Sequence, residues 1–274
     1  MMGALATRYT GDISTLVSGP YAVLNNAWGT EGLAQGWSQQ VGVSGLKADE
    51  SVDFRLKWSF PTVCCLKEIL SFPEIVYGVA SSDTVTAPGA KLPRRFADLK
   101  GLVTRYSGIS GKVAGSGHLA YDLWTTKAAN GALTNANADT EIIIPTMPIN
   151  GYGVPNWPIE AAVGRENQLK RGRNPWGYLG RITLSGGLYD LYRYPANSTH
   201  NHSRWQFIVF EPLVFSNMAG HTLDWMPFLN YILNQGWVER TDYLANVELG
   251  VETEWHQGEA SGDLTIKDFR VDVN

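Results

Sequence analysis

Strict alternation of apolar and polar residues over short runs is the dominant pattern in this chain. SVDFRLKWSF (51–60) sets Val52, Phe54, Leu56, Trp58 and Phe60 against Ser51, Asp53, Arg55, Lys57 and Ser59. Successive side chains of a strand point to opposite faces, so this period of two predicts a strand with one buried face. EIVYGVA (74–80), HLAYDLWTT (118–126), TEIIIPT (140–146), GRITLSG (180–186), YDLYRY (189–194), RWQFIVFEPL (204–213) and DLTIKDFRVDV (263–273) read as further strands between Gly, Asn, Ser and Pro turns. One segment changes period. HTLDWMPFLNYILNQG (221–236) places Leu223, Met226, Phe228, Leu229, Ile232 and Leu233 at helical spacing. It predicts a short helix capped by Thr222 or Asp224, with Pro227 in the first turn and Gly236 at the stop. The expected fold is all-β: a two-sheet antiparallel sandwich with one short helix. No repeat or linker divides the chain, so residues 1–274 are expected to form one domain.

VELGVETEW (247–255) carries the same alternation in an unusual form. Val247, Leu249, Val251, Thr253 and Trp255 share one face, and Glu248, Glu252 and Glu254 share the other with Asn246 and Gly250. A solvated outer face of an antiparallel sheet is the common reading of such a row. Acids spaced two apart repel, however, and an ordinary surface mixes Lys, Thr and Ser among them. The second reading is a row of acids lining a cleft.

Composition narrows the choice. The chain has 274 residues, 44% hydrophobic and 18% charged, enough for a large core. Its net charge of −4 gives no reason to expect nucleic acid or an acidic membrane as partner. No apolar run approaches the ~20 residues of a membrane helix. The start, MMGALATRYTGD, lacks a basic segment followed by an apolar one and so reads as having no signal peptide. That fits either an intracellular protein or one beginning at a mature N-terminus. Cys64 and Cys65 are adjacent, which disulfide geometry disfavours, and are expected to be free thiols in a strand. The 29 Gly, 10 Trp and 12 Tyr fit a turn-rich sandwich that grips something flat, such as a sugar ring, although for any single Trp core is the better reading.

The candidate chemistry is mostly carboxylate. His200 and His202 could hold a metal, but no third ligand is identifiable, so no metal and no cofactor are expected. There is no G-x-S-x-G elbow, and the glycines of GISGKVAGSG (108–117) fit no phosphate loop. The basic run LKRGRN (169–174) reads as solvated loop. Sequons at Asn197 and Asn201 would carry sugar only in a protein secreted by a eukaryote. Glycoside cleavage needs two carboxyl groups, one a proton donor of raised pKa and the other a nucleophile or base. The 247–255 strand offers Glu248, Glu252 and Glu254. TEIIIP places Glu141 on one face with Ile143 and Pro145, opposite Ile142 and Ile144. A lone carboxylate there is costly unless bonded or used. HLAYDLWTT offers Asp122, with Trp124 on the same face.

YAVLNNAWG (21–29), SFPEIVYG (71–78), AYDLWT (120–125), TEIII (140–144), DWMPFLNYI (224–232) and YLANVELGVE (243–252) run in an order that resembles glycoside hydrolase family 12 over nearly the whole chain. Its members are jelly-roll endoglucanases and xyloglucanases. The resemblance implies a retaining endo-β-1,4-glucanase without cofactor: extracellular, monomeric and acting on cellulose-type, mixed-linkage or xyloglucan chains. The family's Glu-Ile-Met-Ile-Trp strand matches Glu141 as nucleophile, and its Gln-Ala-Gly-Thr-Glu strand matches Glu252 as acid/base. The Asp of its Tyr-Asp-Leu-Phe strand, which contacts the nucleophile, matches Asp122. Its Asn-Asn-x-Trp-Gly motif implies that Asn25, Asn26 and Trp28 bind sugar. Trp124 and Glu248 join these as expected substrate contacts. The departures are Ile143 and Pro145 for the family's Met and Trp, Glu248 for its Gln, Thr253 for its Pro, and a longer 148–178 loop. They remove a stacking ring and add charge. A carbohydrate-binding sandwich without catalysis, or a jelly-roll enzyme turned to another molecule, remain the alternatives.

Overall fold

The computed structural model describes residues 6–8, 15–30, 36–60, 69–80, 87–128, 131–149, 177–199, 201–216, 218–254 and 260–274. Cys64, Cys65, the LKRGRN run, His200, Trp255 and nearly all of the 148–178 loop lie outside the described residues. So does the Glu254 side chain.

Two sheets form the sandwich. The seven-stranded sheet runs Ala6–Arg8, Ser38–Val43, Val52–Phe60, Ala260–Val273, Leu102–Tyr106, His221–Asp224, with Gly108–Ala114 also paired to Ala260–Val273. The twelve-stranded sheet follows the path Tyr178–Leu184, Gly187–Tyr194, Gln206–Pro212, Ala138–Ile149, Ser116–Thr126, Asn246–Glu254, Glu74–Gly78, Tyr21–Leu24, Thr15–Ser18. Strands from the two ends of the chain share both sheets. One cluster fills the space between them, built from Phe54, Leu56, Leu264, Ile266 and Phe269 on one side and Tyr121, Leu123, Ile142, Ile144, Leu249 and Val251 on the other. Each of these strands alternates as expected. Val52–Phe60 buries every second residue, and the inward set of Asn246–Glu254 is Val247, Leu249 and Val251.

Two expectations need correction. The sheets are not wholly antiparallel: Ala138–Ile149 pairs parallel with Gln206–Pro212, Glu141 opposite Phe207. Parallel neighbours need a long connection, and the chain between residues 149 and 206 supplies it, adding the Tyr178–Leu184/Gly187–Tyr194 hairpin on the way. The helix is also shorter than its apolar spacing implies. His221–Asp224 is an edge strand on Leu102–Tyr106, and the helix covers Met226–Asn234. Leu223 is buried from the strand, so its burial satisfied both readings. Pro227 does sit in the first turn, Asp224 Oδ1 accepts from the Met226 amide (3.0 Å), and Gly236 ends the helix at φ +68°. The helix seals one end of the core through Phe228, whose ring lies 5.1 Å from those of Tyr189 and Phe210.

The outward face of the twelve-stranded sheet is recessed rather than open. Ala22, Leu24 and Val76 are buried there, as are Ala120, Ile143, Tyr192, Tyr194, Phe207 and Val209. Close strand approach makes this possible. Gly117 has φ +155°, and a Cβ on it would stand 2.2 Å from the backbone oxygen of Glu252. Gly117→Ala should therefore push Asn246–Glu254 off Ser116–Thr126 and destabilise the protein by about 1–3 kcal/mol. Chemical denaturation of the two proteins measures this.

Candidate active site

Register alone assembles a row of acids. Residues directly opposed across a ladder share a face. Across Ser116–Thr126, Trp124 opposes Glu141, Asp122 opposes both Ile143 and Glu248, and His118 opposes Glu252. One strand further, Gly250 opposes Glu74. The register shifts beside this patch fall at Thr146 of the neighbouring strand, beyond Thr125 and beyond Thr253, so residues 118–124 keep parity. Glu141 and Glu252 thus lie on the same recessed face, separated by a single strand. The solvated reading of the acidic row is overturned: Glu248 is 1% exposed and Asn246 is fully buried.

Glu141 is 8% exposed. It accepts from Trp205 Nε1 (2.5 Å) and shares a hydrogen bond with Asp122. Burial pushes its pKa up to about 8, with the Glu252 and Glu248 charges adding to the rise. Asp122 is pushed well above the usual carboxylate range, first by burial and then by the charges of Glu141 and Glu248. The shared bond works in opposite directions on the two groups, raising Asp122 and lowering Glu141. Asp122 therefore keeps its proton to higher pH than Glu141 does, and donates to Glu141 once that group ionises.

Glu252 stands differently. Its side chain keeps 14% exposure, and its Oε2 lies 2.8 Å from Nε2 of the buried His118. The Thr253 that replaces the family's Pro has a hydroxyl 2.5 Å from that of Ser71, tying the strand Ile69–Ser71 to this end of the row.

Next to these groups sits a second carboxyl pair. Glu248 accepts from Trp124 Nε1 (3.2 Å) and Asn246 Nδ2 (2.6 Å), and hydrogen-bonds Glu74. Glu74 is fully buried and accepts from Asn26 Nδ2 (3.2 Å). Burial and the charge of Glu248 raise Glu74 well above the usual range, so it holds the proton of this pair.

The expected residues separate into groups. Asp122, Glu141, Glu248 and Glu252 come together, with Asn26 beside Glu74. Trp124 is 8% exposed and packs edge-on against Trp205 at 5.1 Å, bracing the acids with its N–H. Asn25 turns the other way: it is fully buried and donates to the Gln39 carbonyl of the opposite sheet (3.3 Å). Trp28 stands 46% exposed in the turn Trp28–Thr30. Of the two sequons, Asn201 is 4% exposed and its amide donates to the carbonyls of Tyr194 and Trp205 (3.1 and 2.8 Å), which fixes Trp205 rather than presenting an attachment point. Among the described residues no cluster of three metal-binding side chains occurs. Glu74, His118 and Trp205 gave no functional signal in the sequence. For the first, the only clue was an acid opening an otherwise apolar strand.

These protons have a stability consequence. Between the ordinary carboxylate range and pH about 8, the folded protein holds the Glu141 proton and the unfolded chain releases it, so stability falls as pH rises. Glu141→Gln removes this liability. It should melt higher than the wild type at pH 8, by about 1 kcal/mol or more, with the gap closing near pH 4. Calorimetric melts across that range measure the slope.

Comparison with known proteins places this geometry. The chain is 22% identical over 266 residues to xyloglucan-specific endo-beta-1,4-glucanase A of Emericella nidulans, covering 97% of this chain and 91% of that protein. It is 23% identical to xyloglucan-specific endo-beta-1,4-glucanase 1 of Phytophthora nicotianae, over 91% of this chain and 86% of that one. The native family 12 xyloglucanase from Bacillus licheniformis superposes with a TM-score of 0.71 at 22% identity, covering 99% of this chain and all of that one. The model of glycosyl hydrolase family 12 matches residues 19–274. The chain belongs to glycosyl hydrolase family 12 and is a glycoside hydrolase.

Proposed function

We propose that this protein is a retaining endo-β-1,4-glucanase in which Glu141 is the nucleophile and Glu252 the acid/base. One observation carries the reading: the two carboxyls share a recessed face, one strand apart, and Asp122 between them donates to Glu141. Glu141 attacks the anomeric carbon while Glu252 protonates the leaving oxygen. The Asp122 hydrogen bond holds the Glu141 carboxylate in line and takes up part of its charge. In the second step Glu252 removes a proton from water as it attacks the glycosyl-enzyme, releasing a product with the original anomeric configuration. Double displacement requires the reacting carboxyls to stand about 5–5.5 Å apart. Trp205 donates to Glu141, and His118 of the central strand stands beside Glu252.

Xyloglucan is the favoured substrate. Both curated relatives and the Bacillus protein carry that specificity in their names. Pro145 standing where the family has Trp opens space beside the chain, which suits a branched glucan better than a bare one. The half-exposed Trp28 offers a ring for stacking, and Asn26 lies next to the acids. A polymer of this size is met outside the cell, so the protein acts there, as a single jelly-roll domain and a monomer. Net charge and composition give nucleic acid and membrane no part in it.

Glu141→Gln and Glu252→Gln should each lower kcat on xyloglucan ~10³-fold or more while binding persists. Glu252→Gln alone should regain turnover on an aryl glycoside with a good leaving group when azide is added. Product sizing and anomer assignment by NMR before mutarotation complete the test. Inverted product, or full activity in either variant, overturns the assignment.

A further inference from the structure

Four carboxyls of the acidic patch around Glu141 sit in two side-by-side couples. Asp122 with Glu141 is the couple the reaction uses. Glu74 with Glu248 is the couple it leaves unexplained. Both members of the latter are at most 1% exposed, so neither presents a surface to a sugar. Yet they are not isolated. Glu248 directly opposes Asp122 across the ladder. Its carboxylate is fixed by Trp124 Nε1 and Asn246 Nδ2, while Asn26 fixes Glu74. Asn246 is itself tied down through a bond to the Val79 carbonyl (2.7 Å) and by accepting from the Trp124 amide (2.9 Å). Burying one unneeded carboxylate is expensive, and burying two is more so, unless the charge serves some purpose.

We propose that Glu74 and Glu248 are positioning residues of the glycosidase reaction, a buried couple that shares one proton and holds one fixed negative charge against Asp122 and Glu141. The inference rests on the reading of Glu141 as nucleophile. The titratable groups around this charge are Glu74 from Glu74–Gly78, Asp122 and His118 from Ser116–Thr126, Glu141 from Ala138–Ile149, and Glu252 from the same strand as Glu248. A negative charge at Glu248 makes the Asp122/Glu141 couple hold its protons more tightly. Two effects follow. Asp122 stays protonated, and so able to donate to the nucleophile, to higher pH. Glu141 ionises at higher pH, so the acid limb of kcat/KM lies higher than it would without the charge. The Gln that the family carries at position 248 has no charge and would exert neither effect.

The test compares Glu74→Gln, Glu248→Gln and the double variant. Gln at position 74 still donates to Glu248 and leaves the charge in place. Gln at 248 alone allows the charge to move onto Glu74, so the double variant is the one that removes it. Infrared difference spectroscopy at pH 7 should show one protonated carboxyl fewer in Glu74→Gln than in the wild type, whatever the catalytic roles. The acid limb of kcat/KM on soluble xyloglucan should stay put in Glu74→Gln and move down by roughly half a unit to one unit in the double variant. A merely structural role would lower activity without moving the limb. An unmoved limb in a folded, active double variant overturns the proposal, as does an unchanged carboxyl count in Glu74→Gln. If the double variant does not fold, the infrared count in Glu74→Gln decides. Full activity in Glu141→Gln would instead bring down the nucleophile assignment, and the infrared count would still judge the couple.

Discussion

Carboxylates cannot crowd onto one buried patch of sheet and all remain charged, and that constraint organises this protein. Glu74, Asp122, Glu141, Glu248 and Glu252 share a face from which water is largely excluded. Repulsion and lost hydration push protons back onto the group in each couple that suffers most, Asp122 in one and Glu74 in the other. The survivors, Glu141 and Glu248, are then stabilised by donors aimed at them: Asp122, Trp205, Trp124, Asn246 and Glu74. Such a patch opposes folding at neutral pH. The large apolar core between the sheets offsets it, and the same proton sharing that relieves the repulsion keeps Asp122 protonated and able to donate when the nucleophile ionises.

The fold serves this patch in specific ways. The register of four adjacent strands places every acid without help from a loop, so the spacing is as rigid as the ladder itself. Gly250 leaves a gap in the acidic row, where a Cβ would collide with the Phe72 ring and the Pro73 carbonyl at 2.8 and 2.7 Å. Trp205, fixed from behind by Asn201, closes the far side of Glu141. Rings and amides that look like sugar contacts in the sequence turn out to be braces for the carboxyls, Trp124 most clearly.

Alternation made most of this legible, and its limits explain the rest. Glu141, Asp122 and Glu252 could be placed on one face because period two assigns each residue a side, and the family resemblance paired them. Alternation cannot say whether the polar side of a strand meets water, which is why the 247–255 row reads first as solvated surface and only second as cleft. Glu74 lay in EIVYG, where all five residues are buried and parity carries no signal. Trp205 lay within the 204–213 run read as a strand, but it precedes the observed strand by one residue and nothing in that run singled it out. Leu223 fitted a helical spacing by chance and drew an edge strand into the helix. The parallel pairing of Ala138–Ile149 depends on a connection whose course no local pattern records.

Covalent trapping tests the central assignment most directly. A 2-deoxy-2-fluoro xyloglucan oligosaccharide with a good leaving group should inactivate the enzyme and leave one fluoro-oligosaccharyl group on the peptide containing TEIII, at Glu141, as read by tandem mass spectrometry. A label on any other carboxylate, or turnover with inverted anomer and no adduct, would contradict the account.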